Sequence, residues 1–258
     1  MGPKHSHYQN NQLADVICQL RFPEILTINT TPPADFQELI RGHYPQFATN
    51  HEVQPPKIVG TPGNFQITSP PASVNYQFVS ADGIWRINLT SSFISLSCAQ
   101  YNNWESFARQ LDIPLAAFIK TYKPAYFERI GLRYLNVISR KALAIDDIPF
   151  SQLFQPPYLG ILAQEDMQER DASRSSVDAE VTLSGGCHLK LHTGPGMVRR
   201  NGKPDNEVKF IFDQDLFMPG NIPVNYAAGA LETLHSQAVP FFKKAITTTL
   251  HEAMEPIN

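Results

Sequence analysis

Cysteine and net charge are both scarce in this chain, and each shortage excludes a class of protein. The 258 residues include three cysteines, Cys18, Cys98 and Cys187, whose wide spacing argues against a disulfide framework or a zinc site. The formal net charge is -3, so the chain as a whole has no general attraction to nucleic acid or to an anionic membrane. We therefore expect three buried free thiols in a reducing compartment.

Long apolar runs are missing as well. No segment approaches the roughly 20 apolar residues that span a bilayer, and residues 1–8 lack the apolar core of a signal peptide. Hydrophobic residues make up 42% of the chain and charged residues 17%, which is typical of a globular protein. We expect a cytoplasmic protein without a membrane partner.

The sequence motifs of common enzyme and metal sites do not occur in the chain. It contains neither Gly-x-Ser-x-Gly nor His-Glu-x-x-His, and the glycines of 194–196 are not followed by the helix that a phosphate loop needs. His5 and His7 lie in a polar terminus, and His188 and His192 fall on the outer face of a predicted strand, which favours solvated imidazoles over metal ligands. The sequence therefore predicts no cofactor and no metal, and it identifies no catalytic residue.

What the chain does contain is alternating hydrophobicity, with the same order of elements twice. Each half is predicted to form a strand, a helix, three or four strands, and a long helix with an internal proline, Pro114 or Pro240. The tripeptides Leu20-Arg21-Phe22 and Leu132-Arg133-Tyr134 occupy equivalent places in the two opening strands. We predict an α+β fold in which a curved antiparallel sheet carries helices on one face, built from two repeated units. The predicted divisions are a flexible N-terminus at 1–12, a first unit at 13–124, and a second unit at 125–258 packed closely on the first.

Local signals refine this outline. Residues 48–63 and 155–176 are predicted as loops, the first with at most one short strand. Asn103 is a good N-cap for the first long helix. Thr249 with Glu252 resembles a capping box for a last helical turn.

The strand at 127–138 has the most unusual pattern. Its apolar face is predicted to carry Ile130, Leu132, Tyr134 and Ile138. Glu128 and Asn136 fall on that same face, where a buried polar group without a partner costs about 2 kcal/mol or more. We therefore expect Asn136 to be buried and hydrogen-bonded to backbone.

Arginines mark the opposite face of the two opening strands. Arg129 and Arg133 are placed on that face because alternate residues of a strand point to opposite sides of the sheet. Arg21 lies on the corresponding face of the opening strand of the first half. If the opening strands are neighbours in one sheet, the three guanidinium groups cluster. Pairing with sheet carboxylates such as Asp178 or Glu180 is one interpretation, and a site for an anion or a partner is the other. The candidate ligand-binding residues are Arg21, Arg129, Arg133 and Asn136.

A second basic feature lies at a predicted hairpin tip. Arg199, Arg200 and Lys203 flank Asn201-Gly202, a typical turn sequence. Tips of this kind are usually solvated, but clustered cations can also hold phosphate. These three residues are a candidate phosphate contact.

Short motifs along the whole chain also resemble those of a known family. They are Leu20-Arg21-Phe22, Asn103-Trp104, the strand Leu132-Arg133-Tyr134-Leu135-Asn136, and the C-terminal Phe242, Ile246-Thr247 and Leu250. In these the chain is similar to an uncharacterised, sporadically distributed bacterial family of about this length. The resemblance supports the fold but implies no activity, cofactor or catalytic residue. The order of elements is also similar to a duplicated TBP-like (helix-grip) unit, an analogy that does not imply DNA binding.

Three functions remain open on this basis. The favoured hypothesis is a non-enzymatic bacterial binding or accessory protein that uses the open face or an edge of its sheet to bind a protein or a small anionic ligand. The second is an enzyme whose site is assembled from scattered residues around Arg129 and Arg133. The third is a nucleic-acid-associated accessory protein that uses the basic tip and the sheet arginines. Assembly into a homo-oligomer is compatible with all three.

The apolar C-terminal segment generates a first prediction. Phe241, Phe242, Ile246 and Leu250 are too apolar to remain in water, and each contributes about 1.5–3 kcal/mol when it is buried. Deletion of residues 241–258 should therefore give insoluble or unfolded protein, as measured by soluble yield and thermal melting. A truncated protein with an unchanged melting temperature would contradict this expectation.

Overall fold

A nine-stranded antiparallel sheet is the largest element of the computed structural model, which describes residues 7–52, 57–61, 64–68, 73–200 and 203–257. The strands are β1 His7–Tyr8, β2 Leu13–Arg21, β3 Gln46–Glu52, β4 Lys57–Thr61, β5 Asn64–Thr68, β6 Ser73–Val79, β7 Trp85–Leu89, β8 Phe93–Cys98, β9 Phe127–Ile138, β10 Val177–Thr182, β11 His188–Arg200, β12 Lys203–Ile222 and β13 Pro256–Ile257. The helices are α1 Leu26–Thr30, α2 Ala34–Ile40, α3 Trp104–Tyr122, α4 Ala227–Ala245 and α5 Thr248–Ala253.

The strand order of the sheet is β10-β11-β12-β9-β2-β8-β7-β6-β3, and every neighbouring pair is antiparallel. The two opening strands, β2 and β9, therefore lie side by side at its centre. On either side of them, each opening strand pairs with the last strand of its own half, and the earlier strands follow in reverse order. Two further strand pairs, β1 with β13 and β4 with β5, are separate from the sheet. The α+β class and the large antiparallel sheet are as predicted.

Alternation along the strands gives the sheet two different faces. Val16, Cys18 and Leu20 of β2 are buried, as are Ile130 and Leu132 of β9. This side, called the helix face below, contacts α3 through β8 and α4 through β9 and β12. The opposite side, called the polar face, carries the alternate residues of the same strands.

The polar face is defined here by the charged side chains of the central strands. They are Arg21 of β2, Arg129 and Arg133 of β9, and Asp213 and Asp215 of β12. These side chains are exposed or half-buried, whereas their neighbours along each strand are buried, except for the exposed Glu128 beside Arg129.

The long helix α3 begins where its sequence predicts. The side chain of Asn103 accepts a hydrogen bond from the backbone N–H of Ser106 at 2.8 Å, which satisfies one of the open donors of the first turn. Phe107 and Phe118 are fully buried on its inner face. The predicted free thiols are also present, because Cys18, Cys98 and Cys187 are unpaired and buried.

Several local predictions are wrong. Residues 46–52 form the edge strand β3. Polar residues lie on both faces of this strand, so its sequence does not alternate between apolar and polar residues. Glu128 is exposed, because the buried positions at the start of β9 do not alternate strictly. Helix α5 is capped by Thr247, whose side chain accepts from the backbone N–H of Leu250 at 3.4 Å, and not by Thr249 with Glu252.

The segments at 155–176 and at the C-terminus both pack onto the core. Short 3-10 turns at Pro156–Tyr158, Gly160–Ala163 and Glu169–Asp171 occupy the first of these, so it is not a plain loop. Ile246 and Leu250 are buried, while Phe241 and Phe242 are partly buried against the core. Within the described ranges, no helix is both long enough and apolar enough to cross a membrane.

The contact of 155–176 with β11 requires a glycine. Thr193 donates a hydrogen bond through Oγ1 to the carbonyl of Tyr158 at 2.7 Å, which holds the segment against the strand. At the next residue, Gly194, φ is +152°, and an added Cβ would lie 2.4 Å from the carbonyl oxygen of Ser175. Because that neighbour is backbone, it cannot rotate away as a side chain would.

Gly194→Ala should therefore lower the free energy of unfolding by about 1–3 kcal/mol, through overpacking and an unfavourable φ. The matched control is Gly42→Ala, where an added Cβ meets nothing within 4 Å. The control should leave stability unchanged or slightly raised. Urea unfolding curves measure both variants, and equal midpoints for the two would refute the packing argument.

Candidate functional site

A cavity of about 420 Å³ lies between the helix face of the sheet and the N-terminal end of α3. Its sheet wall is formed by Leu13, Tyr134, Asn136 and Gln214. Its helix wall includes Trp104, His235, Ala238, Val239 and Phe242. The two ends of the described chain complete it with Tyr8, Gln9, Met254 and Ile257. Apolar walls with a few inward polar groups are typical of small-molecule sites.

The sheet wall places two carboxamides side by side in an otherwise apolar stripe. Asn136 is 5% exposed and Gln214 is 2% exposed. In the pairing of β9 with β12, Asn136 lies opposite Phe212 and Gln214 lies opposite Tyr134. Asn136 and Gln214 are therefore diagonal neighbours on the same face, within reach of a common group.

The two carboxamides differ in how they are satisfied. Asn136 donates through Nδ2 to the carbonyl of Phe212 at 3.4 Å, which confirms the expectation that it is buried and bonded to backbone. Gln214 Oε1 is buried and has no hydrogen-bond partner within the described part of the chain. An unsatisfied buried acceptor of this kind costs about 1–3 kcal/mol.

A bulge in β2 lies directly beside Asn136. Leu13 pairs with Asn136 and Asp15 pairs with Leu135, so Ala14 is an extra residue in the ladder. Bulges of this type bend a strand and are frequent next to binding sites. Here the bulge lies where β2 reaches the cavity.

The helix wall is fixed by a chain of aromatic groups. Tyr134 Oη is 2.7 Å from His235 Nδ1, and the Tyr101 ring packs edge-on against the Tyr134 ring with centroids 6.0 Å apart. Burial raises the pKa of Tyr134 well above its ordinary value, so this hydroxyl stays neutral at physiological pH. The Trp104 ring stacks on His235 with centroids 4.5 Å apart, and its Nε1 donates to Glu232.

The chain ends form the remaining wall by pairing with each other. His7 lies opposite Ile257 and Tyr8 opposite Pro256 in the two-stranded sheet of β1 and β13. The Tyr8 hydroxyl is also 2.9 Å from Nδ1 of His251 on α5. Residues from β1, β13 and the end of α5 therefore contribute to the wall of the cavity.

The three arginines of the sequence prediction lie on the other side of the sheet, the polar face. Arg129 bonds both carboxylate oxygens of Asp215 at 2.7–2.8 Å, and Arg133 binds both oxygens of Asp213, with its Nε 2.7 Å from Oδ1. The hydrogen bond to Asp213 raises the pKa of Arg133 further. Arg21 is exposed and lies opposite Arg129 in the ladder.

Two details of the sequence interpretation need correction. The carboxylates that pair with the arginines are not Asp178 and Glu180, which instead contact His192 at 2.7 Å and Lys190 at 3.6 Å. Neighbouring strand β12 supplies the partners, because it is the strand that pairs with β9. Asn136 points to the helix face, so it does not share a site with Arg21, Arg129 and Arg133.

Strands β11 and β12 pair in an antiparallel ladder that extends to the basic residues at 199, 200 and 203. Arg199 and Arg200 end β11, Lys203 begins β12, and Arg200 lies opposite Lys203. The side chains of these three residues lie outside what the structure describes. Their contact with phosphate stays a prediction.

Comparison of the sequence with models of known protein families finds no match, and a search of curated proteins finds none either. The case for the cavity therefore rests on the residues of this chain. Sequence reasoning identified Asn136 but missed Gln214 and His235. Both give the same signal, because each is a polar residue that interrupts an apolar stripe, Gln214 on β12 and His235 on α4.

The hydroxyl of Tyr134 provides a direct test of the helix wall. Tyr134→Phe removes its hydrogen bond to His235 and should lower the free energy of unfolding by about 1–2 kcal/mol. Tyr226→Phe is the matched control, because Tyr226 is 54% exposed and its change should stay within about 0.5 kcal/mol. Guanidinium unfolding measures both, and an effect no larger than the control's would show that the bond contributes nothing.

Proposed function

We propose that this protein is a non-enzymatic binding protein that holds a small organic ligand in the cavity. The single observation that carries the proposal is Gln214 Oε1, a buried acceptor on the cavity wall with no partner among the described residues. A hydrocarbon side chain at this position would fill the wall without the cost of desolvating an amide. The presence of an amide at this position is explained if a ligand donates a hydrogen bond to its oxygen.

The dimensions of the cavity support the same function. Its volume of about 420 Å³ falls in the usual range of small-molecule pockets, roughly 300–1,000 Å³. Buried polar groups on the sheet wall face aromatic and aliphatic groups from α3 and α4, so a bound molecule would contact both kinds of surface. The proposed site thus lies on the helix face, and not on the open face or edge of the sheet that the sequence favoured.

The polar face is less suited to the role that the sequence suggested for it. Arg129 and Arg133 are each engaged by a carboxylate, which offsets the charge that an anionic ligand or a nucleic acid would use. These ion pairs join β9 to β12 across the ladder. We therefore infer that the two arginines stabilise the sheet and do not bind a ligand. The nucleic-acid hypothesis then rests on the basic tip alone.

One observation favours an enzyme as the second candidate function. The Tyr134 hydroxyl and the His235 imidazole form a hydrogen-bonded pair on the cavity wall, and such pairs transfer protons in general acid–base catalysis. The two functions differ in what happens to the bound molecule. A binding protein releases it unchanged, whereas an enzyme converts it.

We further propose that the two halves are duplicated units of the TBP-like type. The strand order β2-β8-β7-β6 is equivalent to β9-β12-β11-β10, with β3 as an additional edge strand of the first half, and α3 and α4 each have 19 residues. Aligning Leu20-Arg21-Phe22 with Leu132-Arg133-Tyr134 makes Gln19 equivalent to Gly131, and these two residues are also partners in the ladder. An approximate twofold axis between them supports duplication. Membership of the sporadically distributed bacterial family stays a prediction.

Native mass spectrometry of freshly purified protein tests the binding function. Wild-type protein should carry a small organic compound, which Gln214→Leu should lose and Gln168→Leu, an exposed control, should retain. Trp104 fluorescence in a Trp85→Phe background gives a second readout, because it isolates the tryptophan at the cavity. No bound compound together with no saturable response to naphthalene would contradict the proposal. Recovery of a chemically altered compound would favour the enzyme instead.

A further inference from the structure

The walls of the cavity differ in charge and in hydrogen-bonding capacity, which restricts the ligands that fit. The groups of the sheet wall, Tyr134, Asn136 and Gln214, are buried and uncharged. The charged residues that border the cavity are Glu105, which is exposed, and Lys243, which is half-buried. A ligand group that reaches the sheet wall must therefore be neutral, because a buried charge without a counter-charge is strongly unfavourable.

Gln214 determines the polarity of the group that it meets. Its unsatisfied Oε1 accepts hydrogen bonds, so the ligand must present an N–H or O–H donor. The amide nitrogen on the same head group is a donor and calls for an acceptor beside that position. A ligand uses both the oxygen and the nitrogen of the carboxamide when one of its edges carries a hydrogen-bond donor next to an acceptor.

Asn136 extends the same pattern on the neighbouring strand. Its Nδ2 donates to the Phe212 carbonyl at 3.4 Å, and because an amide nitrogen carries two hydrogens it can donate to a second partner as well. The two head groups lie diagonally on adjacent strands and face the same space. Together they form a polar strip on one wall, while Val239 and Phe242 provide apolar contact opposite.

We propose that the cavity recognises a neutral cyclic amide, whose N–H donates to Gln214 Oε1 and whose adjacent carbonyl accepts from a carboxamide of the sheet wall. This inference rests on the proposed binding function and specifies its ligand class. The ring lies against the apolar wall, and the amide edge faces β9 and β12. An anionic ligand is disfavoured because no buried cation meets the sheet wall among the described residues.

Three matched probes test the inference. Quinolin-2(1H)-one has the required N–H beside a carbonyl, 1-methylquinolin-2-one lacks the donor, and quinoline-2-carboxylate carries a negative charge on a related ring. Affinities are measured by Trp104 fluorescence in the Trp85→Phe background and by calorimetry. Loss of the donor should weaken binding about tenfold, as expected for one buried acceptor left unsatisfied. The carboxylate should bind more weakly still.

A double-mutant cycle identifies the acceptor. In Gln214→Leu, quinolin-2(1H)-one and 1-methylquinolin-2-one should bind with equal affinity, because the acceptor for the N–H is gone. Gln168→Leu, on the exposed surface, should preserve the difference in full. Thermal melts of each variant without probe verify that it is folded, and Gln214→Met serves where the leucine variant fails to fold.

The outcomes separate this inference from the function on which it rests. Equal binding of the methylated and unmethylated probes to wild-type protein would leave the cavity a ligand site but overturn the cyclic-amide inference. Tighter binding of the carboxylate would overturn it too. If no probe binds and purified protein carries no compound, both the inference and the proposed function fail.

Discussion

The pairing of β2 with β9 is the interaction on which the rest of the structure depends. These strands open the two halves of the chain and lie together at the centre of the sheet, where Cys18 opposes Leu132 and both are fully buried. Each then pairs on its outer side with the last strand of its own half. The register of this one ladder decides which residues of both halves face the helices and which face outward.

That register sorts the polar residues of the central strands into two groups with different roles. On the polar face, Arg129 and Arg133 pair with carboxylates on β12, and the ion pairs are partly exposed. On the helix face, Tyr134 and Asn136 are buried beside the cavity, away from the outer surface of the protein. Their hydroxyl and amide must bond to other buried groups or to a ligand. The cavity lies at this end of the ladder, beside the bulge in β2.

Alternating hydrophobicity allowed most of the sheet to be predicted from sequence. Strands β2, β6, β7, β8 and β9 have one apolar face each, and the N-cap Asn103 marks the start of α3. Strand β3 was missed because an edge strand with polar residues on both sides carries no such signal. The carboxylate partners of the arginines were misassigned because local patterns do not specify which strand will lie next to β9.

The candidate site was only partly predictable for a related reason. Asn136 was identified because a polar residue in an apolar stripe requires a partner. Gln214 and His235 give the same signal, but His235 is 101 residues from Tyr134 in the chain. Their convergence depends on the pairing of β12 with β9 and on the packing of α4 above both. Those are long-range contacts, and periodicity reports only the orientation of a residue within its own element.

A crystal structure of the protein with quinolin-2(1H)-one tests the central claim most directly. The account predicts the ring in the cavity between β9, β12 and α4, with its nitrogen about 2.7–3.2 Å from Gln214 Oε1, the usual range for an N–H···O hydrogen bond. A cavity that holds only ordered water bridging Gln214 and Asn136, with the compound absent or bound elsewhere, would contradict it.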